Sequence, residues 1–412
     1  MQIVLNVIKG PHQGKLFSFD QHEHFFVGRA KFAHFCLPEG DPYFSRVHFM
    51  IEVNPPACRL LDLGSTNGTW VNGEQAQTVD LKDGDIIEGG DTAISVSLVS
   101  TIAPTITPIE SGDNKRPKSS ATIPVTTRQS ELELPVIDGY EVVEEIGRGG
   151  MGIVYKAIRV HDQLTVAIKI IKPAIVGSRT DYERFLREVS ILESLDHTGI
   201  VGYHGSGETG QLLFLVMEYF PGQDATKWLA GVEGNLPIPI AVGMVCKVLE
   251  ALSYAHSRYV IHRDVKPSNL LVVREGNRLR VKLADFGLAK VYHDSKLSGL
   301  TLTGAVCGTP KFMSPEQILD SRCVKTTADQ YSAAATLYFL LTRQFTHDFG
   351  KPVQQVLHQI LLHDAVPIQS RRTDIPEALS MVIQKALTRD PLERFPSVSD
   401  FRDALRPFER KS

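Results

Sequence analysis

Cysteine is scarce in this chain and never forms a recognisable metal or disulfide motif. The five cysteines among 412 residues are odd in number, scattered, and never spaced as C-x-x-C. This usage predicts neither a disulfide framework nor a zinc site, so we expect a protein of the reducing cytoplasm. No apolar run approaches the roughly 20 residues that span a bilayer. The N-terminus lacks a basic region and predicts a strand rather than a signal peptide.

An excess of charge of one sign is also missing. Lys and Arg number 44 and Asp and Glu 47, so the formal net charge is −3. This balance argues against a protein that coats nucleic acid or an anionic membrane, and we expect neither as a partner. The apolar content of 42% is ordinary for globular proteins, and the length predicts two or three domains.

One segment differs from the rest in composition. Residues 101–137 are rich in Thr, Ser and Pro and contain no aromatic residue. Such a segment buries too little apolar surface to offset its ordering entropy, so it predicts a flexible linker. The boundaries that follow are a first domain at residues 1–100 and a second at residues 138–412.

The first domain consists of short alternating apolar runs broken by Gly, Pro, Asn and Asp. The pairs Asn67-Gly68 and Asn72-Gly73 are strong hairpin signals, because both residue types tolerate positive φ. Short, frequent strands without a helical stretch predict an all-β sandwich.

Three motifs of this domain together carry a family resemblance: Gly28-Arg29, residues 45–48 (SRVH) and residues 64–69 (GSTNGT). In this order the segment resembles a forkhead-associated (FHA) domain, a β-sandwich that binds phosphothreonine peptides. A guanidinium group offers the fork of N–H donors that a phosphate dianion needs. The resemblance implies a phosphothreonine site made of Arg29, Ser45, Arg46, Thr66 and Asn67.

Two other interpretations of these motifs remain open. His48 is expected to tie two loops together rather than to contact the ligand, since buried histidines are normally satisfied structurally. The sandwich could also lack binding competence altogether.

The second domain begins with a glycine-rich string at residues 146–154 (IGRGGMGIV). A Rossmann loop would open a helix, whereas this string leads into another strand, which predicts a flap over nucleotide phosphates. Lys169 ends a Val-Ala-Ile-Lys run in the next strand. A predicted helix at residues 184–195 places Glu188 where it can pair with Lys169.

Further motifs follow in a fixed order: residues 262–269 (HRDVKPSN), residues 285–287 (DFG), residues 308–310 (GTP) and residues 314–316 (SPE). The set resembles the eukaryotic-type Ser/Thr protein kinases, in particular bacterial, planctomycete-like members. The resemblance implies a bilobal α+β fold with ATP and Mg²⁺ as cofactors. Many such kinases carry a transmembrane helix and sensor after the catalytic domain; the chain stops at Ser412, so we expect neither.

The resemblance also assigns roles to the motif residues. Asp264 accepts the proton of the substrate hydroxyl, Lys266 steadies the γ-phosphate, and Lys169, held by Glu188, binds the α- and β-phosphates. Asn269 and Asp285 ligate Mg²⁺, because carboxylate and amide oxygens suit this hard ion. The nucleotide site comprises Ile146, Gly147, Arg148, Gly149, Gly150, Met151, Gly152, Ile153, Val154, Ala167, Lys169, Met217, Glu218, Phe220 and Leu271.

Several neighbours are interpreted as structural instead. His262 and Phe286 are expected to pack in the interior beside Leu192, with Asp329 as an anchor. Arg394 is expected to form a buried ion pair with Glu316.

Thr301 and Thr303 are candidate phosphosites, since phosphate there could recruit Arg263 through charge-assisted hydrogen bonds. The alternative is that they are ordinary loop threonines.

The second domain has two alternative functions. One is an inert scaffold that keeps a kinase fold, and the other is phosphorylation of a small molecule. The intact Asp264, Asn269 and Asp285 set argues against the first, and the intact substrate-side segment at residues 301–316 against the second.

The two domains together suggest self-recognition. Arg29 would bind a phosphothreonine that the kinase itself makes, either in the linker or on the activation segment of a second molecule in a transient homodimer. Recruitment of separate phosphorylated substrates is the equally weighted alternative.

Overall fold

A computed structural model of the chain describes residues 2–37, 41, 43–99, 134–150, 152–171, 189, 192–209, 212–276, 278–286, 310–320, 324–350 and 353–409. Most of the predicted linker lies outside these residues, as do Met151, Glu188, Thr301 and Thr303. The described elements form a β-sandwich followed by a strand-rich lobe and a helical lobe, which confirms the predicted fold class.

The sandwich consists of two antiparallel-rich sheets. Its strands are β1 Gln2–Lys9, β2 Leu16–Phe19, β3 Glu23–Gly28, β4 Phe35–Cys36, β5 Phe49–Asn54, β6 Ala57–Asp62, β7 Thr69–Val71, β8 Glu74–Ala76, β9 Thr78–Asp80, β10 Ile86–Gly89 and β11 Thr92–Val99. One sheet has the order β2-β1-β11-β10-β7-β8 and the other β4-β3-β5-β6-β9. Alternate side chains of β3 and β5, such as Phe25, Phe49 and Ile51, point between the sheets and form the inner core.

The N-terminal lobe is one five-stranded sheet with the order β12-β13-β14-β16-β15. Its strands are β12 Tyr140–Arg148, β13 Gly152–Arg159, β14 Thr165–Ile171, β15 Tyr203–Thr209 and β16 Leu212–Glu218. Val166 and Ile168 of β14 pack into the core of this lobe with Val216 of β16. The intervening Ala167 and Lys169 therefore face the cleft between the lobes. Ile137, the last residue of the predicted linker, is buried in the same core.

The C-terminal lobe combines helices with a small sheet of β17 Gln223–Asp224, β18 Leu270–Glu275 and β19 Arg278–Leu283. The described helices are α1 Ala225–Ala230, α2 Ile238–His256, α3 Pro315–Leu319, α4 Thr327–Thr342, α5 Val353–Leu362, α6 Ile368–Arg371, α7 Glu377–Ala386 and α8 Val398–Leu405. The order of α2, then β18 and β19, then α4 brings residues 262–269 and 285 to the cleft.

The apolar helix α2 corrects one expectation from the sequence. Its 19 residues, with a mean hydropathy of 1.5, are long and apolar enough to cross a membrane by composition alone. In the structure this helix lies in the core of the C-terminal lobe, where Val242, Val245 and Leu249 are fully buried against α4. Helical packing within the lobe thus accounts for its hydrophobicity.

A second hydrophobic cluster, here called the seam, joins the sandwich to the C-terminal lobe. The outer faces of β3, β5 and β6 and the loops beside them pack against α3 and α5. The apolar side chains on both sides of this contact are almost inaccessible to solvent. The buried members are Phe26, Ala30, Val47, Met50, Leu61, Leu63, Ile318, Val356, Leu357, Ile360 and Leu361.

The seam follows from strands that are apolar on both faces. Phe25 faces the inner core whereas Phe26 faces the seam, and Leu60 and Leu61 divide in the same way. Polar contacts border the cluster: Gln354 donates to the Thr78 hydroxyl at 2.9 Å, and His24 Nδ1 lies 3.4 Å from the carbonyl oxygen of Ile318. A sheet with two apolar faces must be covered on both sides, and the C-terminal lobe covers the second.

Because the seam is apolar, we expect that one charged side chain introduced at its centre separates the two domains. Leu357→Asp would bury a carboxylate without a partner, so we expect the sandwich to leave the C-terminal lobe while both stay folded. Small-angle X-ray scattering should then show a larger radius of gyration. Leu392→Asp is the matched control, because Leu392 is 91% exposed. Unchanged scattering for a folded Leu357→Asp protein would contradict the seam.

Candidate functional site

The glycine-rich loop connects β12 and β13, and its glycines serve two different purposes. The Gly149 N–H donates to the Gly152 carbonyl at 2.9 Å. A Cβ at Gly152 would lie 2.0 Å from the Ile170 oxygen, so close packing against β14 requires glycine there. A Cβ at Gly149 would meet no heavy atom within 4 Å. The described residues thus leave open space beside Gly149, whereas close packing against β14 explains the glycine at position 152.

Lys169 and Asp285 form an ion pair across the cleft. Lys169 is 5% exposed, and its Nζ donates to Asp285 Oδ1 at 2.7 Å. Asp285 has a φ of +63°, an unusual conformation for a non-glycine residue, which turns its carboxylate toward the lysine. The predicted partner Glu188 lies outside the described residues, so that pairing stays a prediction.

The charge state of Asp285 is set by competing effects. Burial would raise its pKa, but the Lys169 ammonium and the more distant charge of Lys266 hold the pKa below its usual value. Asp285 is therefore ionised at neutral pH. An ionised carboxylate oxygen in the cleft is a suitable donor for a hard divalent cation.

Asp264 is oriented by two residues that follow it in the sequence. Asn269 Nδ2 donates to the Asp264 carbonyl at 2.8 Å and to Asp264 Oδ2 at 2.9 Å. Lys266 Nζ lies 2.7 Å from the same Oδ2. Because the Asn269 nitrogen is used in this way, its side-chain oxygen is the atom left for a metal. Asn269 Oδ1 and the Asp285 carboxylate are thus two hard oxygen donors, and this set fits Mg²⁺.

The backbone of the loop that begins with His262 and Arg263 is fixed by Asp329, which is fully buried. Its carboxylate accepts the backbone N–H of His262 and of Arg263, each at 2.8 Å, and contacts His256 Nε2 at 2.8 Å. Arg263 adopts a φ of +66°. The anchoring role predicted for Asp329 is confirmed.

His262 connects this loop to the segment that carries Asp285. Its Nδ1 accepts the Asp264 N–H at 3.1 Å, and its Nε2 lies 2.9 Å from the Ala284 carbonyl. These partners assign the proton to Nε2, so the ring is neutral. The ring packs edge-to-face on Phe286, with centroids 4.4 Å apart, and the predicted structural role of both residues is confirmed.

The apolar residues predicted to belong to the nucleotide site are divided between the two lobes. Ala167 is opposite Met217 in the sheet, and Val154 is opposite Lys169, so these residues are neighbours at the cleft. Leu271 belongs to β18, in the C-terminal lobe. Ile146, on β12, is 38% exposed.

The structure also shows where other residues of the predicted nucleotide site lie. Arg148 forms an exposed pair with Glu145, so its predicted contact to nucleotide stays a prediction. Phe220 is buried, whereas Ile153 is partly buried and Gly150 lies in the loop itself.

Lys282 was missed by the sequence reasoning. Its Nζ lies 2.6 Å from Glu218 Oε2, which also accepts the Gly202 N–H at 3.0 Å. This partly buried ion pair fixes the segment between the lobes, where Glu218 and Phe220 were predicted to contact nucleotide. No local motif identifies Lys282, because its partner is 64 positions away.

A second candidate site lies on the loops of the sandwich. The Arg29 N–H donates to the Ser45 carbonyl at 3.0 Å, and Ser45 Oγ accepts the Thr66 N–H at 3.0 Å. Asn67 Nδ2 donates to the Tyr43 carbonyl at 2.8 Å. Together with Arg46, the predicted phosphate-site residues are therefore brought together at the end of the sandwich. The guanidinium groups of both arginines have no carboxylate partner within the described residues.

Buried polar residues hold these loops in place. His48 is fully buried; its Nδ1 accepts the Ser45 N–H at 3.1 Å, and its Nε2 lies 3.1 Å from the Gly68 carbonyl. Burial lowers the pKa of His48, so it stays neutral. The prediction that His48 ties two loops together is confirmed. Asp62, which the sequence reasoning missed, accepts hydrogen bonds from the N–H groups of Gly64 and Ser65, each at 2.8 Å.

Gly28 allows the loop that carries Arg29 to approach the loop that carries Ser45 and Arg46. A Cβ at this position would lie 2.4 Å from the Arg46 carbonyl oxygen. Any other residue would push residues 28–30 away from residues 45–47, so the glycine of the Gly-Arg motif serves the placement of Arg29.

Comparison with known proteins matches both parts of the chain. The family model of the protein kinase domain matches residues 140–403, and that of the FHA domain matches residues 25–90. Serine/threonine-protein kinase Pkn1 of Myxococcus xanthus is 33% identical over 303 residues, which cover 72% of this chain and 42% of Pkn1. Serine/threonine-protein kinase PknF of Mycobacterium tuberculosis is 35% identical over 271 residues, which cover 65% of this chain and 56% of PknF.

The two lobes of the second domain are also similar in structure to solved kinase domains. The crystal structure of the Mycobacterium tuberculosis PknI kinase domain superposes with a TM-score of 0.52 at 28% identity, covering 66% of this chain and 97% of that chain. The chain spans about half the length of the curated relatives named above.

The ion pair between Arg394 and Glu316 is present as predicted. Arg394 Nη1 and Nη2 donate to the two carboxylate oxygens of Glu316 at 2.7 and 2.9 Å, and the arginine side chain is fully buried. Glu316 belongs to α3, so the pair attaches this helix to the segment before α8.

This pair predicts a large stability effect. Glu316→Ala leaves a buried guanidinium without its carboxylate, and the free energy of unfolding of the lobe should fall by about 3–5 kcal/mol. Urea titration would measure it. Glu275→Ala is the control, since the Glu275–Arg280 pair is about half-exposed and should cost less than about 1 kcal/mol. Equal losses for the two variants would refute a buried structural pair.

Proposed function

Because the chain belongs to the protein kinase family, we propose that it transfers the γ-phosphoryl group of ATP to serine and threonine hydroxyls of proteins. The observation that carries the proposal is the set of contacts around Asp264: Asn269 at 2.9 Å and Lys266 at 2.7 Å on one carboxylate oxygen. These contacts hold a carboxylate at the cleft beside Asp285. The relatives, named serine/threonine-protein kinases, support the same reaction class.

Asp264 is the group that receives the proton. As the substrate hydroxyl oxygen bonds to the γ-phosphorus, the bond from this phosphorus to the β–γ bridging oxygen breaks and ADP leaves. The hydroxyl proton passes to the Asp264 carboxylate. Since Oδ2 is occupied by Asn269 and Lys266, the other carboxylate oxygen is the acceptor.

The two lysines neutralise charge during transfer. Lys266 lies close to Asp264, where the γ-phosphoryl group must be during transfer, and stabilises the negative charge on its oxygens. Lys169 keeps three donors on a compact ammonium and binds Asp285 with one of them, so others remain for the α- and β-phosphates. Such fixed cations inside a cleft are the main source of stabilisation in phosphoryl transfer.

The same site fits a magnesium ion. Asn269 Oδ1 and Asp285 would hold it, and the ion would supply neutralisation of the phosphate oxygens. The protein's own contribution is the orientation of both ligands, through the Asn269–Asp264 hydrogen bonds and the Asp285–Lys169 pair.

The roles proposed for Asp264 and Asp285 can be tested by substitution. Asp264→Asn should lower the rate of phosphate incorporation from ATP at least a hundredfold, since general-base catalysis contributes about 10²–10⁴-fold. Asp285→Ala should abolish Mg²⁺-supported transfer. Radiolabelled ATP with mapping of phosphosites measures both and shows whether Thr301 and Thr303 receive phosphate. The matched control is Asp162→Asn, an exposed carboxylate paired with Arg159 outside the cleft.

The rival functions give different results in this experiment. Undiminished incorporation in both variants would contradict the assignment, and no incorporation in the wild type would favour the inert scaffold. Transfer to a small metabolite, with no phosphate on any protein, would favour the small-molecule kinase.

For the sandwich, we propose recognition of phosphothreonine in proteins. Arg29 and Arg46 are exposed cations on adjoining loops, and neither is paired with a carboxylate within the described part of the chain. The Ser45 and Thr66 hydroxyls lie 3.3 Å apart beside them and offer neutral donors. Two guanidinium groups with hydroxyl donors form the chemistry that binds a phosphate dianion.

The seam favours substrate recruitment as the purpose of this recognition. Ala30 and Val47, which directly follow Arg29 and Arg46, are buried in the seam, so the phosphate site lies next to the C-terminal lobe. A phosphoprotein bound there stays close to the kinase lobe while further hydroxyls are phosphorylated. With these proposed functions, one chain both recognises phosphothreonine and transfers phosphoryl groups.

Phosphopeptide binding tests this directly. The full chain should bind a phosphothreonine peptide library and not its unphosphorylated form, and Arg29→Ala should weaken binding at least tenfold through loss of charge-assisted hydrogen bonds. Fluorescence anisotropy measures the affinity. Arg59→Ala is the control, because this arginine of the same sandwich is committed to Asp80.

Self-recognition is a separate outcome of the same variants. If the phosphorylated wild type forms dimers or linker crosslinks that Arg29→Ala and phosphatase both abolish, the ligand lies on the protein itself. If Arg29→Ala changes neither the mass nor the crosslinks, recruitment of other phosphoproteins is supported. Equal affinity of wild type and Arg29→Ala for phosphopeptide would refute the phosphate site.

A further inference from the structure

Three side chains with metal-binding atoms meet on the outer face of the sandwich, at the edge of the seam. His24 on β3 is directly opposite Glu52 on β5, so their side chains are on the same face of the sheet. His22 precedes His24 by two positions and shares that face. One ligand atom from each of the three residues lies within 4.8 Å of the other two.

The hydrogen bond of His24 determines which of its ring nitrogens is directed toward His22 and Glu52. His24 Nδ1 lies 3.4 Å from the carbonyl oxygen of Ile318 on α3. A carbonyl only accepts, so this contact places the proton on Nδ1 and leaves a lone pair on Nε2. An N–H donated to a backbone carbonyl is the usual arrangement behind a metal-binding histidine, because it fixes the tautomer and the ring.

The opposing nitrogen and oxygen do not satisfy each other. His24 Nε2 is 3.9 Å from Glu52 Oε1, and both atoms are buried without a hydrogen bond to any residue that the structure describes. A direct charged pair would close to about 2.7–2.9 Å. Two ligands about 2.1 Å from one tetrahedral ion lie about 3.4 Å apart, so the observed gap is closer to shared coordination.

Within the described part of the chain, Glu52 forms no direct ion pair with a lysine or an arginine. It is 3% exposed, and burying a lone carboxylate is costly. Arg59, opposite Glu52 on β6, directs its guanidinium to Asp80 instead. A cation held between Glu52 and the histidines would remove this cost.

We propose that His22, His24 and Glu52 bind a divalent transition-metal ion, with zinc as the best match. Two imidazole nitrogens and one carboxylate oxygen form a donor set that zinc accepts readily, whereas Mg²⁺ prefers oxygen donors alone. The site is distinct from the cleft of Asp285 and independent of the proposed kinase activity. Through His24 it contacts α3, so metal binding would stabilise the docked arrangement of the two domains.

Metal binding by the full chain tests the proposal. The protein, freed of any affinity tag and treated with chelator, is titrated with Co²⁺ in excess Mg²⁺, which occupies oxygen-donor sites. We expect one equivalent to bind with the visible absorption of a four- or five-coordinate ion, and Zn²⁺ to displace it. The melting temperature should rise with Zn²⁺. X-ray absorption of the zinc form should show nitrogen and oxygen neighbours near 2.0–2.2 Å, including imidazole.

Variants separate the site from other metal binding. Glu52→Gln and His24→Gln should each weaken Zn²⁺ binding at least a hundredfold, exceeding the about 10–100-fold loss typical of outer partners. His363→Gln is the matched control, since the His358–His363 rings form a second close pair with centroids 5.5 Å apart. It should bind like the wild type.

Two results would overturn the proposal. One is a wild type that binds no Co²⁺ or Zn²⁺ in excess Mg²⁺, which would leave His24 and Glu52 as neighbours in the fold without a metal role. The other is zinc affinity unchanged in folded Glu52→Gln, with circular dichroism as the check on folding. Neither result affects the kinase proposal, which the ATP experiment tests separately.

Discussion

The proposed catalytic centre depends on one buried carboxylate, that of Asp329. It accepts the backbone N–H groups of His262 and Arg263 and contacts His256, all at 2.8 Å. Burial would raise the pKa of Asp329, but the hydrogen bond and charge of His256 keep the pKa below its usual value, so the carboxylate stays ionised. An ionised acceptor of this strength holds Arg263 at a φ of +66°, a conformation that otherwise costs about 1–3 kcal/mol. The turn produced in this way directs Asp264 into the cleft.

From that turn, hydrogen bonds extend to the rest of the site. His262 accepts from the Asp264 N–H and donates to Ala284, the residue before Asp285. Asp285 in turn binds Lys169 of the other lobe. The proposed proton acceptor Asp264, the proposed metal ligand Asp285 and the lysine that would bind phosphates are therefore connected through one neutral imidazole. Because each contact uses a specific donor or acceptor, a change at His262 should affect both sides of the cleft together.

Sequence reasoning found the residues whose chemistry fixes their type. The role proposed for Asp264 needs a basic side chain such as a carboxylate, and the roles proposed for Asp285 and Asn269 need carboxylate or amide oxygens, so these residues appear as motifs. Lys282 and Asp62 were missed, because their roles are to hold Glu218 and a binding loop, tasks that many residue types could perform. The seam was missed for a different physical reason. Adjacent apolar residues on β3 and β6 fit a sandwich core equally well, and only the three-dimensional arrangement shows that alternate members face outward.

The seam also changes how the connection between the domains must be understood. A fully flexible connection of about 37 residues opposes docking by only about 3 kcal/mol, since closure entropy grows with the logarithm of length. Burying a side chain such as Phe26, Met50 or Leu61 contributes about 1.5–3 kcal/mol, and each of these is at most 1% exposed. Three such residues alone outweigh the closure cost, before Ile360 and Leu357 on the opposite side are considered. The distance between the proposed phosphate site and the C-terminal lobe is thus set by packing of the two surfaces and not by the length of the connection. With the functions proposed above, a phosphoprotein held by the sandwich would reach the cleft from one direction, and the spacing between its phosphothreonine and the next hydroxyl would govern substrate choice.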